Sequence, residues 1–285
     1  MPFHGDVTRD DLLARIAAHP LGDTPAVMRP AFRELMLGRD SVAPGSRHDR
    51  PRRPGGPRVV WFHGGGYVFG SPATHARIAT YLTDRHGFDV TLPAYRLAPE
   101  NSWPAQLDDA LAAIAHDSDV ILAGDSAGGH LALVTALHLA RAGRPPRGLL
   151  LFSPNTDRTG RSATRTEMAA DDPMVDDAGD RALAEMCFGA RPPSDPDVSP
   201  LLADLTGLPP TWIEVGTPEV LLDDSRLLHA RAAAAGVDAH LTVTPGMLHM
   251  GQIWAPWWAP ARASLDRAAA FATGIWRRTG AAAEL

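Results

Sequence analysis

The chain has 285 residues, enough for a full doubly wound α/β domain with added segments, and its 45% hydrophobic and 21% charged composition is ordinary for a soluble globular protein. A formal net charge of −6 argues against a nucleic-acid surface, which needs clustered positive charge. All 27 basic residues are arginine, so lysine Schiff bases, covalent pyridoxal attachment, a Walker-type phosphate loop and a Ser-Lys dyad are excluded, while the single Cys187 excludes an internal disulfide and a thiolate metal cluster.

The chain opens Met1-Pro2-Phe3-His4-Gly5-Asp6, without the basic start and apolar core of a signal peptide, and no run is long enough to span a membrane. A cytoplasmic location is the expectation. Helix-like segments follow over Thr8–His19 and Ala26–Leu37, separated by Pro20-Leu21-Gly22-Asp23-Thr24-Pro25, and neither alternates as a strand should. The one basic cluster, Arg50-Pro51-Arg52-Arg53-Pro54, reads as a solvated loop. A βα alternation then begins: strand Val59–Phe62, helix Ala73–Arg85, strand Asp89–Tyr95, helix Pro104–His116, strand Asp119–Ala123, helix Ala127–Ala142, strand Gly148–Phe152. An interruption over 157–200, rich in Arg, Asp and Pro, holds one good helix, Asp176–Phe188. The alternation resumes with strand Thr211–Val215, helix Leu221–Ala235, strand His240–Val243 and a last helix from Pro260 to about Trp276. This pattern predicts an α/β fold with a mostly parallel central sheet flanked by helices. It divides the chain into an N-terminal segment 1–50, a first core part 51–156, a second inserted segment 157–200 and a second core part 201–285.

Chemistry concentrates at the ends of predicted strands. Gly124-Asp125-Ser126-Ala127-Gly128-Gly129 directly follows the apolar run Val120-Ile121-Leu122-Ala123, the pattern that lifts one serine onto a sharp strand-to-helix turn. Gly124 and Gly128 flank Ser126 because a β-carbon there would collide with the next helix, whose positive end favours an oxyanion at Ser126. Upstream, a strand ends in His63-Gly64-Gly65-Gly66-Tyr67, a loop bare enough for backbone N–H groups to approach developing negative charge. His249 follows the strand His240–Val243 and the turn Pro245-Gly246, on the sheet edge where active sites gather in α/β folds. Histidines such as His138 and His229 sit on helix faces and are read as incidental. Two acids can orient His249. After strand Thr211–Val215, Thr217 reads as a helix N-cap and Pro218 as the first helical residue, which puts Glu219 and Asp223 one turn apart on one face. Glu219 is nearer the strand end, although acids in a first helical turn also complement the dipole with no further role. Met247, Trp254, Trp257 and Trp258 either line a substrate entrance or pack the interior. No metal-ligand spacing stands out.

The order His-Gly-Gly-Gly, then Tyr95-Arg96-Leu97-Ala98-Pro99-Glu100, then Gly-Asp-Ser-Ala-Gly-Gly, an acid and a histidine resembles the hormone-sensitive-lipase-like branch of the α/β-hydrolases, especially its bacterial esterases. The resemblance runs from about Val59 to the last helix. It implies an α/β-hydrolase fold in which the N-terminal segment and the mid-chain insertion form a two-piece helical cap. It further implies Ser126 as nucleophile, His249 as general base and Glu219 as acid, with Asp223 as the alternative acid. The oxyanion donors fall on the backbone N–H groups of Gly65, Gly66 and Ala127, and His63 becomes a structural residue of the glycine loop. No cofactor or metal is implied. The chain departs from its apparent relatives at Asn101, Asn155 and Met250, and the last two are expected near the acyl pocket as substrate-binding residues. The expected activity is a serine carboxylesterase acting on short- to medium-chain acyl esters through an acyl-enzyme, as a monomer or homodimer with a small-molecule ester as its partner. Alternatives are a deacetylase, amide hydrolase or lactonase on a natural-product intermediate. A non-catalytic binding homologue, like the plant hormone receptors that have lost the catalytic histidine, is disfavoured by His249.

Overall fold

Near-continuous apolar runs make strands that need cover on both faces, and that requirement organises the chain. The computed structural model describes residue 3 and residues 5–38, 55–115 and 119–282. The basic cluster at 50–54, the boundary at 50/51 and the predicted helix end at His116 lie outside the described residues. Two helices come first, α1 (Arg9–Ala17) and α2 (Pro25–Leu37). The alternating core follows with β1 (Arg58–Phe62), α3 (Pro72–His86), β2 (Asp89–Thr91), α4 (Ala105–Ala113), β3 (Ile121–Asp125), α5 (Ala127–Arg141) and β4 (Gly148–Phe152). The insertion carries the short α6 (Thr164–Glu167), which has no counterpart in the sequence expectation, and α7 (Asp177–Phe188). The chain ends with β5 (Thr211–Gly216), α8 (Leu222–Ala234), β6 (Ala239–Thr244) and α9 (Ala259–Ala282).

Among the described residues six strands form one sheet in the order β2-β1-β3-β4-β5-β6, each neighbouring pair parallel. From β1 the chain steps outward to β2, then returns across β1 to β3, so the strand order reverses between β1 and β3. Right-handed crossovers therefore place α3 on one face and the crossover helices α4 and α5 on the other, while the terminal α9, which is not a crossover, is free to return to the face of α3. The packing agrees: α3 meets α9, which covers β4 and β5, while α4 meets α5, which lies over β1, β3 and β4. Beyond the carboxyl ends of β1 and β3 the reversal opens a crevice, the position where such sheets hold ligands. β2 is shorter than the sequence pattern predicts, because Pro93 cannot donate to a ladder.

Both segments outside the alternation are fixed to this core by arginine. In α1 Thr8 and Asp11 form a capping box, and Arg15 donates to the carbonyls of Glu34 and Leu35 at the end of α2. Arg29 in α2 donates to the carbonyls of Val68 at 2.9 Å and Ala98 at 3.0 Å, and holds both oxygens of Glu100. In the second insertion, Arg165 grips Asp224 through Nε and Nη2 at 3.0 and 2.9 Å and Asp180 through Nη1 at 2.9 Å. Burial alone would raise the pKa of Asp180, but the guanidinium groups of Arg158 and Arg165 hold it well below the usual carboxylate range. Removing one partner of a buried ion pair strands the other charge, at a cost of about 3–5 kcal/mol. Arg165→Ala should therefore lower the urea unfolding midpoint by a corresponding amount; an unchanged midpoint would contradict a buried network.

Candidate active site

β3 lies between β1 and β4 with every residue buried, and the turn after it carries Ser126 at φ +55° and ψ −122°, a conformation L-residues rarely adopt. The Ser126 N–H donates to the Phe152 carbonyl at 2.9 Å, which ties the elbow to the end of β4. A β-carbon at Gly128 would stand 2.1 Å from the Phe62 carbonyl oxygen, so only glycine lets α5 begin this close to β1. α5 starts at Ala127, whose N–H belongs to the first helical turn and has no partner within the helix.

The loop after β1 meets the elbow from the side. Gly65 has φ +120°, and a β-carbon on it would approach the Phe69 carbonyl oxygen to 2.3 Å; Gly66 has φ +58°. The Gly65 carbonyl accepts from Val68 and Phe69, which curls the loop and leaves Gly65 and Gly66 facing the same cavity as Ser126. Asp125, one residue before Ser126, accepts from Gly64 N–H at 3.2 Å, His75 Nε2 at 3.0 Å and Trp61 Nε1 at 2.8 Å. Burial would raise its pKa, yet His75 and the hydrogen bonds from His75 and Trp61 hold it below the usual range. His63 stacks on Tyr95 at 4.2 Å, its carbonyl accepts from the Tyr95 hydroxyl at 2.6 Å, and burial pushes its pKa down to about 3. It is a neutral part of the loop's support.

His249 is buried, with Nδ1 2.8 Å from Glu219 Oε2. Its Nε2 has no hydrogen-bond partner among the described residues, and the side chain lines the cavity that Ser126 lines. Burial alone would lower its pKa, but the hydrogen bond and charge of Glu219, with the charges of Asp172 and Asp125, outweigh that and raise it above the ordinary value. The second oxygen of Glu219 accepts from Gly216 N–H and from Ser153 Oγ at 2.9 Å. Asp223 does not meet the histidine: its oxygens accept from Thr164 N–H and pair with Arg226. The sequence expectation of one helical face for both acids is corrected here. α8 begins only at Leu222, because Thr217 N–H is drawn to the Thr244 carbonyl and Glu219 folds back onto Gly216, so Glu219 stands in a turn before the helix.

The cavity has a volume of about 560 Å³. Ile16, Leu21, Met28 and Leu35 reach it from the N-terminal segment, and Met174, Leu183 and Met186 from the insertion. Met250 lines it, but Asn155 does not: its amide is buried between Asp180 at 2.6 Å and Arg165 at 2.7 Å, as part of the arginine network. Asn101 bonds back to the Leu97 carbonyl. Met247, Trp254, Trp257 and Trp258 are buried and absent from the lining, so they pack the interior; Arg77 stacks over Trp257 at 4.7 Å. The sequence reading missed Ser153, His75 and Asp125. Of these Asp125 and Ser153 carried a positional signal, standing at the carboxyl ends of the strands predicted before them, whereas His75 carried none. Among the described residues no His, Cys, Asp or Glu group could hold a metal ion, and no helix is long and apolar enough to cross a membrane.

A family model described as having the α/β-hydrolase fold matches residues 59–252. The chain is 37% identical over 230 residues to an acetyl-hydrolase of Streptomyces hygroscopicus, covering 78% of this chain and 77% of that protein. It is 36% identical over 226 residues to an esterase of Acinetobacter venetianus, covering 76% of this chain and 75% of that one. Among solved structures, an esterase from the bacterial hormone-sensitive lipase family superposes with a TM-score of 0.84 at 33% identity, covering 94% of this chain and 98% of that chain. A hormone-sensitive lipase from a metagenome library gives 0.81 at 30% identity, covering 95% of this chain and 100% of that chain.

The geometry makes Glu219 the group that raises His249. The imidazole should titrate by NMR above the ordinary histidine value of 6.5, and Glu219→Gln should lower that pKa while Asp223→Asn leaves it nearly unmoved. The reverse pattern would show that the acids have been assigned the wrong way round.

Proposed function

We infer the reaction from the family: the chain belongs to the α/β-hydrolases, in the branch of the bacterial hormone-sensitive-lipase-like esterases, and is a carboxylic ester hydrolase. Within that class we propose a serine carboxylesterase that cleaves short- to medium-chain acyl esters through an acyl-enzyme. The observation that carries this reading is His249 itself. One ring nitrogen is engaged by Glu219, and the other is left without a partner in the cavity lined by Ser126.

In this mechanism Nδ1–H of His249 is donated to Glu219, which fixes the tautomer and leaves Nε2 as the acceptor. Nε2 takes the Ser126 proton as the hydroxyl attacks the ester carbonyl carbon, and returns it to the departing alcohol. The N–H groups of Gly65, Gly66 and Ala127 receive the oxyanion, each well-placed donor lowering the barrier by roughly 3 kcal/mol. Water then attacks the acyl-serine by the same route. Segments 1–50 and 157–200 act as the two pieces of a cap. Support for that comes from the apolar side chains both contribute to the cavity, whose volume is within the usual range for small-molecule sites. A second reading keeps the machinery and narrows the acyl group to acetyl, on an ester or amide of a natural-product intermediate. It is favoured by the 37% identity to a protein named acetyl-hydrolase.

Ser126→Ala should reduce kcat/KM on p-nitrophenyl butyrate by several orders of magnitude with an unchanged melting temperature. Near-normal turnover in that variant would overturn the mechanism. Glu219→Gln should cost about 10³ to 10⁴ in kcat and Asp223→Asn far less. The base works only when neutral, and its pKa is raised, so kcat/KM should decline as pH falls through a midpoint above the ordinary 6.5.

A further inference from the structure

A second buried carboxylate lies within electrostatic reach of His249 and is not used by the mechanism above. Asp172 lies in the mid-chain insertion, five residues before the start of α7, and is 8% exposed. Other buried acids illustrate how this chain usually treats them: Asp180 in the insertion is held by Arg158 and Arg165, and Asp224 in α8 by Arg165. The hydrogen bonds to Asp172 come instead from backbone N–H groups. Oδ1 accepts from Met174 at 3.0 Å and Val175 at 3.2 Å, and Oδ2 accepts from Val220 at 3.1 Å. Met174 and Val175 line the cavity, and Val220 adjoins Glu219. One side chain thus joins the cavity wall to the turn that presents the acid.

The charge balance gives this arrangement a role. Burial and the nearby charge of Glu219 raise the pKa of Asp172, whereas a positive His249 and the backbone hydrogen bonds pull it down. Burying a carboxylate without a cation is costly, and here the cation would be the imidazolium that His249 becomes when it takes up a proton, as it does from the serine during attack. We propose that Asp172 is a positioning residue of this site: it fixes the Met174–Val175 wall against the Val220 turn and adds a second negative charge that stabilises protonated His249. This rests on the reading of His249 as the base. The charged groups named around His249 are Glu219 from the turn before α8, Asp172 from the insertion and Asp125 from the end of β3.

The test measures the His249 pKa by NMR of the imidazole, and the acid limb of kcat/KM on p-nitrophenyl acetate, in the parent, Asp172→Asn, Asp172→Ser and Asp172→Glu. Asp172→Ser removes the charge without turning an amide donor toward the Val220 N–H, so a folded neutral variant is available if Asp172→Asn is not. Both neutral variants should lower the His249 pKa by about half a unit or more and move the acid limb down with it, and Asp172→Glu should keep both near the parent values. An unmoved His249 pKa in a folded neutral variant would overturn the proposal. A shifted pKa with a stationary limb would leave the charge contact standing and overturn instead the reading of His249 as base.

Discussion

The site depends on how closely the start of α5 approaches the end of β1. Ser126 occupies a backbone conformation that costs about 1–3 kcal/mol and persists only where its surroundings over-determine it. They do so here by contact: Gly128 leaves no room for a β-carbon beside the Phe62 carbonyl, and Ser126 N–H is anchored to Phe152 on the other side. The same approach brings the Asp125 carboxylate under the glycine loop, where it takes the Gly64 N–H. Serine elbow and glycine loop therefore share one anchor. They meet at the reversal of strand order between β1 and β3, so the topology of the sheet fixes the distance between the candidate nucleophile and the candidate oxyanion donors.

Burial then sorts the histidines by their partners. His63 and His130 are enclosed without a carboxylate hydrogen bond, and desolvation drives both pKa values down to about 3, which keeps them neutral as structural donors and acceptors. His130 meets the Tyr67 hydroxyl at 2.6 Å, next to the glycine loop. His249 is as deeply enclosed, but carboxylates surround it and reverse the direction. A low local dielectric amplifies both outcomes. The contrast comes from where the acids stand, and the insertion contributes to it through Asp172.

Much of this was legible because it is local. The apolar runs at Val59–Phe62, Ile121–Ala123 and Gly148–Phe152 declare central parallel strands, and the two glycine motifs mark the tight turns at the ends of the first two. The illegible part depends on partners far away in sequence. Pro218 looks like a helix start until Thr244, on a neighbouring strand, captures the Thr217 N–H. Asn155 looks like a pocket residue until Arg165 and Asp180 enclose it. The roles of Ser153, His75 and Asp172 depend on the distant partners Glu219, Asp125 and Val220, which leave no periodic trace, and the tryptophans near the carboxyl terminus give the same pattern whether they line a cavity or fill a core.

The central claim is that the enclosed Glu219–His249 pair makes Ser126 a nucleophile. The most direct measurement is labelling with a fluorophosphonate followed by peptide mass spectrometry, with the rate compared between the parent and His249→Gln. A single rapid adduct on Ser126 is expected, with a rate lower by orders of magnitude in the variant. An adduct on another residue, or equally rapid labelling of Ser126 without His249, would contradict the central claim.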